Sequence, residues 1–452
     1  MDRTVTLPLW LFVVILLAAA ITAATHLLFP SVRWFLRRRA EGVVARLNER
    51  LARPIQPFKL LTRQDTIQRV VYDPEVVRAA TDFAEETGVR EDVAMERARR
   101  YAREIVPAFS ATAYFALGTR VSRWLAKGVF DVRIAYDDAD EIAAIDPRAT
   151  VVYVMNHRSN FDYLLVTYLV APTSALSYAV GEWARVWPLS ALIRTMGAYF
   201  IRRRTPDALY RRVLASYVAK ATAGGVTQAV FPEGGLSRDG AVGEPKLGIL
   251  SYITDGWRAD GRPVVFVPVA LNYDRVVEDR VLVAAGRSEK RRFRASAPEA
   301  ALFIARYLWR RATGQVGRFG VAAVTFARPV ALSDYVEAGA VDVPGLAGEI
   351  MGRIRAAVPA PFNALLLTAL DRAGGEAAID DLRRAVETMH GRRDTPVAHD
   401  GATFAGMPDF RAALDVLSLR RIISVEGETV RIEDADLVAF YRASLDGLNF
   451  SE

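Results

Sequence analysis

Cysteine is absent from the 452 residues, which removes disulfides, thiolate metal ligands and a cysteine nucleophile together. Histidine is scarce: His26, His157, His390 and His399 are the whole supply. A multi-histidine metal site would need distant segments to converge, so no metal is assigned. Internal repeats and low-complexity tracts are also missing. Acidic side chains are rare in the first 60 residues, where Arg3, Arg33, Arg37, Arg38, Arg39, Arg46, Arg50, Arg53 and Lys59 meet only Asp2, Glu41 and Glu49. That block holds nearly all of the net charge of +7. Beside an apolar run it points to a membrane surface, and the lack of a basic excess elsewhere argues against nucleic acid as a partner.

The apolar run is LPLWLFVVILLAAAITAATHLLF, Leu7 to Phe29. A helix needs about 20 residues to cross a bilayer core, and this stretch carries no acidic or permanently basic side chain. A hydrophobic content of 52% and a mean hydropathy of +0.12 fit an anchored protein better than a multi-span one. The arginines follow the run, so the positive-inside rule predicts a single-pass anchor in the cell membrane with the body on the cytoplasmic side. The alternative is a signal peptide cut near Ala18–Ala20, but its apolar core would be shorter and preceded by a basic start. VRWFLRRRAEGVVARLNERLARP then suits a basic helix along the headgroups or a solvated helix with one packed stripe.

The chain is expected to divide into an anchor (1–30), a basic juxtamembrane helix (31–63), a helical region (64–128), an α/β domain (129–345) and a helical C-terminal region (346–452). DPEVVRAATDFAEETG opens with an acidic cap and closes at Gly88, and Pro107 divides the next helical stretch. VFDVRIAY, TVVYVMN, ALSYAV, GAYFIR, TQAVF, PVVFVPVALNY and FGVAAVTFARPV read as strands separated by crossovers. The fold class is therefore α/β: a mixed, mostly parallel sheet flanked by helices, with helical regions at both ends. Near the C-terminus, RRIISVEGETVRIED reads as a hairpin turning at Glu426–Gly427.

Ligands in such sheets sit where strands lead into helices, and MNHRSNFDYLL, Met155 to Leu165, is such a junction. His157 can abstract a proton through one ring nitrogen while Asp162 holds the other and stabilises the imidazolium. Equally, the two can be helix-capping residues with no chemical role. GAYFIRRRTP ends a strand in arginines that suit a phosphate, or a solvated basic edge. AVFPEGGLSRDG combines Glu233, Gly234, Gly235, Ser237 and Arg238: glycines that let backbone approach a ligand, with added donors and a carboxylate for polyol hydroxyls. Its bland reading is an ordinary sheet-to-helix turn. Pro268, in the middle of FVPVALNYDRVVE, marks an edge or a break in a strand. Neither Ser159 nor Ser237 sits in a nucleophile elbow, so direct attack by a substrate hydroxyl fits better than a covalent acyl-enzyme.

NHRSNFD, GAYFIRR, FPEGGLSR and VPV, in this order over about 115 residues, resemble the four motifs of glycerolipid acyltransferases. HRSNFDYLL, GAYFIRR, GEPKLGIL, NYDRVVE and the late FYRASL are similar to the glycerol-3-phosphate 1-O-acyltransferases, from about residue 100 to the C-terminus. The resemblance implies His157 as general base on the sn-1 hydroxyl, oriented by Asp162. It implies Arg202 and Arg203 as holders of the glycerol phosphate. Arg158, Ser159, Glu233, Gly234, Gly235, Ser237, Arg238, Lys246 and Pro268 would line the same pocket. The implied partners are glycerol 3-phosphate, acyl-CoA or acyl carrier protein, and the phospholipid bilayer, with no cofactor. The third motif departs from the family in having Leu236 where arginine is usual, which removes one charge from the phosphate grip. FPEG is also common among lysophosphatidate acyltransferases, which keeps that acceptor, and dihydroxyacetone phosphate, as alternatives. A non-catalytic lipid-binding module is the reading from another class, and it leaves the motif order unexplained.

Overall fold

The structure, a computed structural model, describes residues 41–181, 189–202, 206–287, 319–391 and 410–448, with a few short stretches outside these ranges. The chain divides into two units, Met1–Pro54 and Ile55–Glu452. In the first, residues 41–48 are helical. The expected span at 7–29 lies outside the described residues apart from Pro8, Val13 and Leu16. Among the described residues no helix is long and apolar enough to cross a membrane.

The second unit is built around a sheet of eight strands: β1 (Asp131–Tyr136), β2 (Thr150–Met155), β3 (Ser177–Val180), β4 (Tyr199–Phe200), β5 (Gln228–Val230), β6 (Val264–Tyr273), β7 (Val321–Phe326) and β8 (Val330–Ala331). Their order is β1-β7-β6-β2-β5-β3-β4, with β8 beside β6. β6, β2, β5, β3 and β4 run parallel, as do β1 and β7, while β7 and β8 are antiparallel to β6. All six residues of β2 are buried, which a strand paired on both edges and covered on both faces requires. Val152 and Val154 join an apolar cluster with Val70, Val76, Ala80, Val213 and Tyr217. Val151, Tyr153 and Met155 alternate to the other face. Each such valine contributes about 1.5–3 kcal/mol by leaving water.

Pro268 sits in a central strand, and the ladder breaks beside it. β8 pairs with Val265 and Phe266, and β7 pairs from Val269 onward. A proline nitrogen donates nothing to a ladder, so it stands where one antiparallel neighbour gives way to the next.

Ahead of the sheet, helix Pro74–Thr87 is capped by Asp73, which accepts from the Glu75 N–H, and ends at Gly88 with φ of 68°. Only a residue that tolerates the left-handed region closes a helix this way at no cost. Helix Glu91–Ile105 stops just before Pro107, and helix Thr119–Val129 packs on helix Asp162–Val170. A two-stranded ribbon, β9 (Val336–Glu337) and β10 (Ala340–Val341), precedes helix Val343–Ala357.

The C-terminal region adds one strand, β11, to the helices and the hairpin expected of it. Helices Phe362–Arg372, Ile379–Gly391, Phe410–Leu419 and Ala435–Ala443 surround a second sheet of β11 (Glu376–Ala378), β12 (Ile423–Glu426) and β13 (Thr429–Ile432), in the order β11-β13-β12. The hairpin turns one residue later than expected. Glu426 pairs with Thr429, so the loop is Gly427–Glu428, with Gly427 at φ 62°.

Candidate active site

Because β2, β5 and β6 are parallel, the loops after β2 and β5 and the residues after Tyr273 emerge at one edge of the sheet. Asn156 extends β2 with its side chain: its Nδ2 donates to the Leu271 carbonyl at 2.9 Å, and its Oδ1 accepts from the Leu271 N–H at 2.8 Å. His157 is then held on both sides of its own backbone. Its N–H donates to Glu233 Oε1 at 2.9 Å, and its carbonyl accepts from the Ser237 N–H at 2.9 Å. The loop after β5 therefore grips the histidine as a neighbouring strand would.

Asp162 opens helix Asp162–Val170 and is fully buried. Its Oδ2 accepts from His157 Nδ1 at 2.9 Å, from the Arg158 N–H at 2.8 Å and from the Ser159 N–H at 3.0 Å. Its Oδ1 accepts from the Tyr273 hydroxyl at 2.5 Å. Burial and the neighbouring Asp162 carboxylate hold the Tyr273 hydroxyl well above its ordinary range, so it remains a donor. A buried carboxylate with four donors is compensated for its lost hydration. The imidazole is 2% exposed, stacks on Phe231 with centroids 4.1 Å apart, and meets Tyr163 edge-on. Ring plane and tautomer are thus both constrained. With Nδ1–H given to Asp162, a proton-accepting role falls to Nε2.

Glu233 is a second, partly buried carboxylate at this edge. Burial pushes it up to about 7, against the pull of its hydrogen bonds from the His157 and Gly243 N–H groups. Gly234 adopts φ 70°, and a Cβ there would lie 2.9 Å from Lys246 Cδ. Lys246 and Arg238 are exposed. Gly235 has open space where a side chain would be. Ser237 is occupied within its own loop, accepting from the Gly240 N–H at 3.0 Å and donating to the Ala241 carbonyl at 2.8 Å. Ser159 donates its hydroxyl to Glu278 at 2.7 Å.

The remaining sequence-identified positions are placed differently. Arg158 is buried, lies over the Phe440 ring at 4.8 Å, and donates to the Gly240 carbonyl. Among the described residues its Nε and Nη2 have no hydrogen-bond partner. Burial pulls its guanidinium below the ordinary arginine range. Arg202 follows β4, three strands from β2, or roughly 14 Å at the usual strand spacing. It forks onto Glu104 at 2.9 and 2.7 Å and stacks over Tyr101 and Tyr210. Both Glu104 hydrogen bonds raise its already high pKa. The Arg202 donors are turned to Glu104, on helix Glu91–Ile105. Arg203 lies outside the described residues.

Asn156, Tyr163, Phe231, Tyr273 and Glu278 belong to this constellation and were not singled out from the sequence. The available signal was a polar residue inside, or just after, an apolar strand. Such a residue has to find a buried partner.

Fold and site together define an α/β protein with a buried histidine–carboxylate pair at the end of a central parallel strand. Residues 134–272 match the family model described as Acyltransferase. The chain is also similar to bacterial proteins named glycerol-3-phosphate acyltransferase. It is 30% identical over 280 residues to one from Pseudomonas fluorescens (strain SBW25), 29% over 279 residues to one from Pseudomonas entomophila (strain L48), and 30% over 281 residues to one from Pseudomonas putida (strain KT2440). Each match covers 61% of this chain and 32% of the relative, about a third of the length of those proteins. Among solved structures, the 1-acyl-sn-glycerophosphate (LPA) acyltransferase PlsC from Thermotoga maritima is 18% identical. That comparison has a TM-score of 0.32 and covers 53% of this chain and 75% of the other.

Proposed function

We propose that this chain moves a fatty acyl group from a thioester donor, acyl-CoA or acyl carrier protein, to the sn-1 hydroxyl of glycerol 3-phosphate, giving 1-acylglycerol 3-phosphate. The observation that carries this reading is the buried His157–Asp162 pair, 2.9 Å apart, on the loop where the family's first motif falls. Its similarity to proteins of that name supports the choice of acceptor.

In this mechanism Nε2 of His157 takes the proton of the sn-1 hydroxyl as its oxygen attacks the thioester carbonyl. Asp162 stabilises the imidazolium and fixes the tautomer. The tetrahedral intermediate collapses, the C–S bond breaks, and the imidazolium proton passes to the leaving thiolate. Glu233 fixes the histidine backbone, and the exposed Arg238 and Lys246 on the same loop supply positive charge for the phosphate. Arg203 is assigned to the same task from its motif. Ser159 and Arg158 act from behind the loop. Residues 7–29 would anchor the chain in the bilayer, with the catalytic unit on the cytoplasmic side.

The test is His157→Ala in purified full-length protein in detergent, assayed with labelled glycerol 3-phosphate and each donor class. Transfer should disappear while the circular dichroism spectrum is unchanged. A rate within a few-fold of the parent sinks the proposal. FPEG favours one second reading, lysophosphatidate as acceptor, and a competition between the two acceptors in the same assay separates them.

A further inference from the structure

The six residues after β6 carry three acidic side chains, and each ties down a different part of the molecule. Asp274 accepts from the Val321 N–H at 2.8 Å and from the Asn363 N–H at 3.3 Å, joining the start of β7 to the start of helix Phe362–Arg372. Asp279 accepts from the Tyr441 hydroxyl at 2.6 Å and from Arg420 at 2.5 Å. Tyr441 also accepts from the Val276 N–H at 3.1 Å. Between them, Glu278 turns the other way. Its Oε2 accepts from the Ser159 hydroxyl at 2.7 Å, and its Oε1 accepts from the Asn160 N–H and side-chain amide, both at 3.2 Å.

Ser159 is the link that matters. Its hydroxyl is fixed by Glu278, and its own N–H points at Asp162 Oδ2. Asp162 in turn aims the imidazole. A connected path therefore runs from Tyr441 by hydrogen bond to Asp279, along the backbone to its neighbour Glu278, and by hydrogen bonds through Ser159 and Asp162 to His157. Phe440 reinforces it from the same helix by lying under the Arg158 guanidinium.

We propose that the C-terminal lobe, residues 362–391 and 410–448, is a positioning element for the histidine loop, and that Glu278 is the positioning residue through which it acts. The proposal rests on the acyl-transfer reading above and deepens it. Glu278 touches no reacting atom. It sets where the base stands, and a misplacement of about 1 Å costs on the order of 100-fold in rate.

The experiment compares Glu278→Ala, Glu278→Gln and Tyr441→Phe in the full-length chain, measuring kcat and both KM values alongside the downfield proton signal of the His157 Nδ1–H. Glu278→Ala should lower kcat by about 10- to 100-fold with both KM values within about three-fold. Glu278→Gln keeps one accepting oxygen and should recover to within about five-fold of wild type. Tyr441→Phe should lower kcat by about three- to ten-fold and shift the Nδ1–H signal. A folded Glu278→Ala variant with kcat within two-fold of wild type overturns the assignment, and so does a Tyr441→Phe variant with unchanged kcat and signal. Should Glu278→Ala not fold, the other two variants decide by the same criteria. If wild type transfers nothing to glycerol 3-phosphate, the acyl-transfer reading fails on its own. An unchanged Nδ1–H signal in Glu278→Gln and Tyr441→Phe would then overturn the coupling, and a shifted signal would support it.

Discussion

Replacing Asp162 separates its structural work from its chemical work. In Asp162→Asn, the amide oxygen can still accept from His157 Nδ1, the Arg158 N–H and the Ser159 N–H, the three partners of Oδ2. The amide nitrogen then faces Tyr273, whose hydroxyl reverses from donor to acceptor. The Tyr273 O–H and the second amide N–H each lose an acceptor while a buried charge is removed, so stability should fall by about 1–3 kcal/mol. The imidazolium loses its counter-charge, and kcat should fall by about 10³- to 10⁴-fold, or about 4–5.5 kcal/mol of transition-state stabilisation. Asp162→Ala is a different perturbation. It orphans four buried donors at about 1–3 kcal/mol each, so even with relaxation it should cost about 3 kcal/mol or more of a total stability of about 5–15. Urea denaturation followed by circular dichroism gives the stabilities, provided the slope m is constant across the set. Initial rates of transfer give the chemistry. An Asp162→Asn enzyme within ten-fold of wild type, or an Asp162→Ala protein no less stable than Asp162→Asn, refutes the reasoning.

Two further predictions follow from the loop after β5. Glu233 has its carboxyl raised to about 7, so the folded state holds a proton that the unfolded state has released between about pH 4.5 and 7. Its contribution to stability is therefore present at low pH and lost as pH rises through that window, by about 3 kcal/mol. The stability difference between wild type and Glu233→Gln should shift by that amount between pH 5 and pH 8 in urea titrations, and a pH-independent difference contradicts the burial argument. Gly240 adopts φ 94°, and a Cβ there would lie 1.8 Å from the Phe440 carbonyl oxygen. Gly240→Ala should cost about 2–4 kcal/mol and expose helix Ala435–Ala443 to limited proteolysis, whereas an unchanged melting curve and digestion pattern would show that this approach is not needed.

How much of this was legible depended on how local the cause was. β2 and its loop could be read because TVVYVM is a continuous apolar run that breaks abruptly into polar residues. Gly88, Asp73 and Pro107 act within one helical turn, and they mark boundaries in the sequence as they do in the structure. The pairing of His157 with Asp162 is likewise nearly local, spanning five positions along a strand-to-helix turn. Arg202 shows the opposite case: its partner Glu104 is 98 residues away, and nothing in GAYFIRR distinguishes an arginine bound for a helix carboxylate from one free for phosphate. β11 escaped for a related reason. Glu-Ala-Ala has little strand preference of its own and is a strand because β13 lies beside it. Tyr273 and Glu278 were in view within FVPVALNYDRVVE, but which way each side chain turns is decided by packing against segments over a hundred residues distant.

The tie between Tyr441 and the residues after β6 also has a meaning in time. Synthesis runs from the N-terminus at about 5–20 residues per second, and roughly 280 residues separate His157 from Tyr441. The histidine loop is therefore made some 15–60 seconds before the helix that braces it. A chain halted before Tyr441 would carry every motif of the site and still lack its last support. On this view the emerging chain is withheld from activity until the helix that carries Tyr441 has been made, and a nonsense mutation ahead of Tyr441 should act as a loss of function.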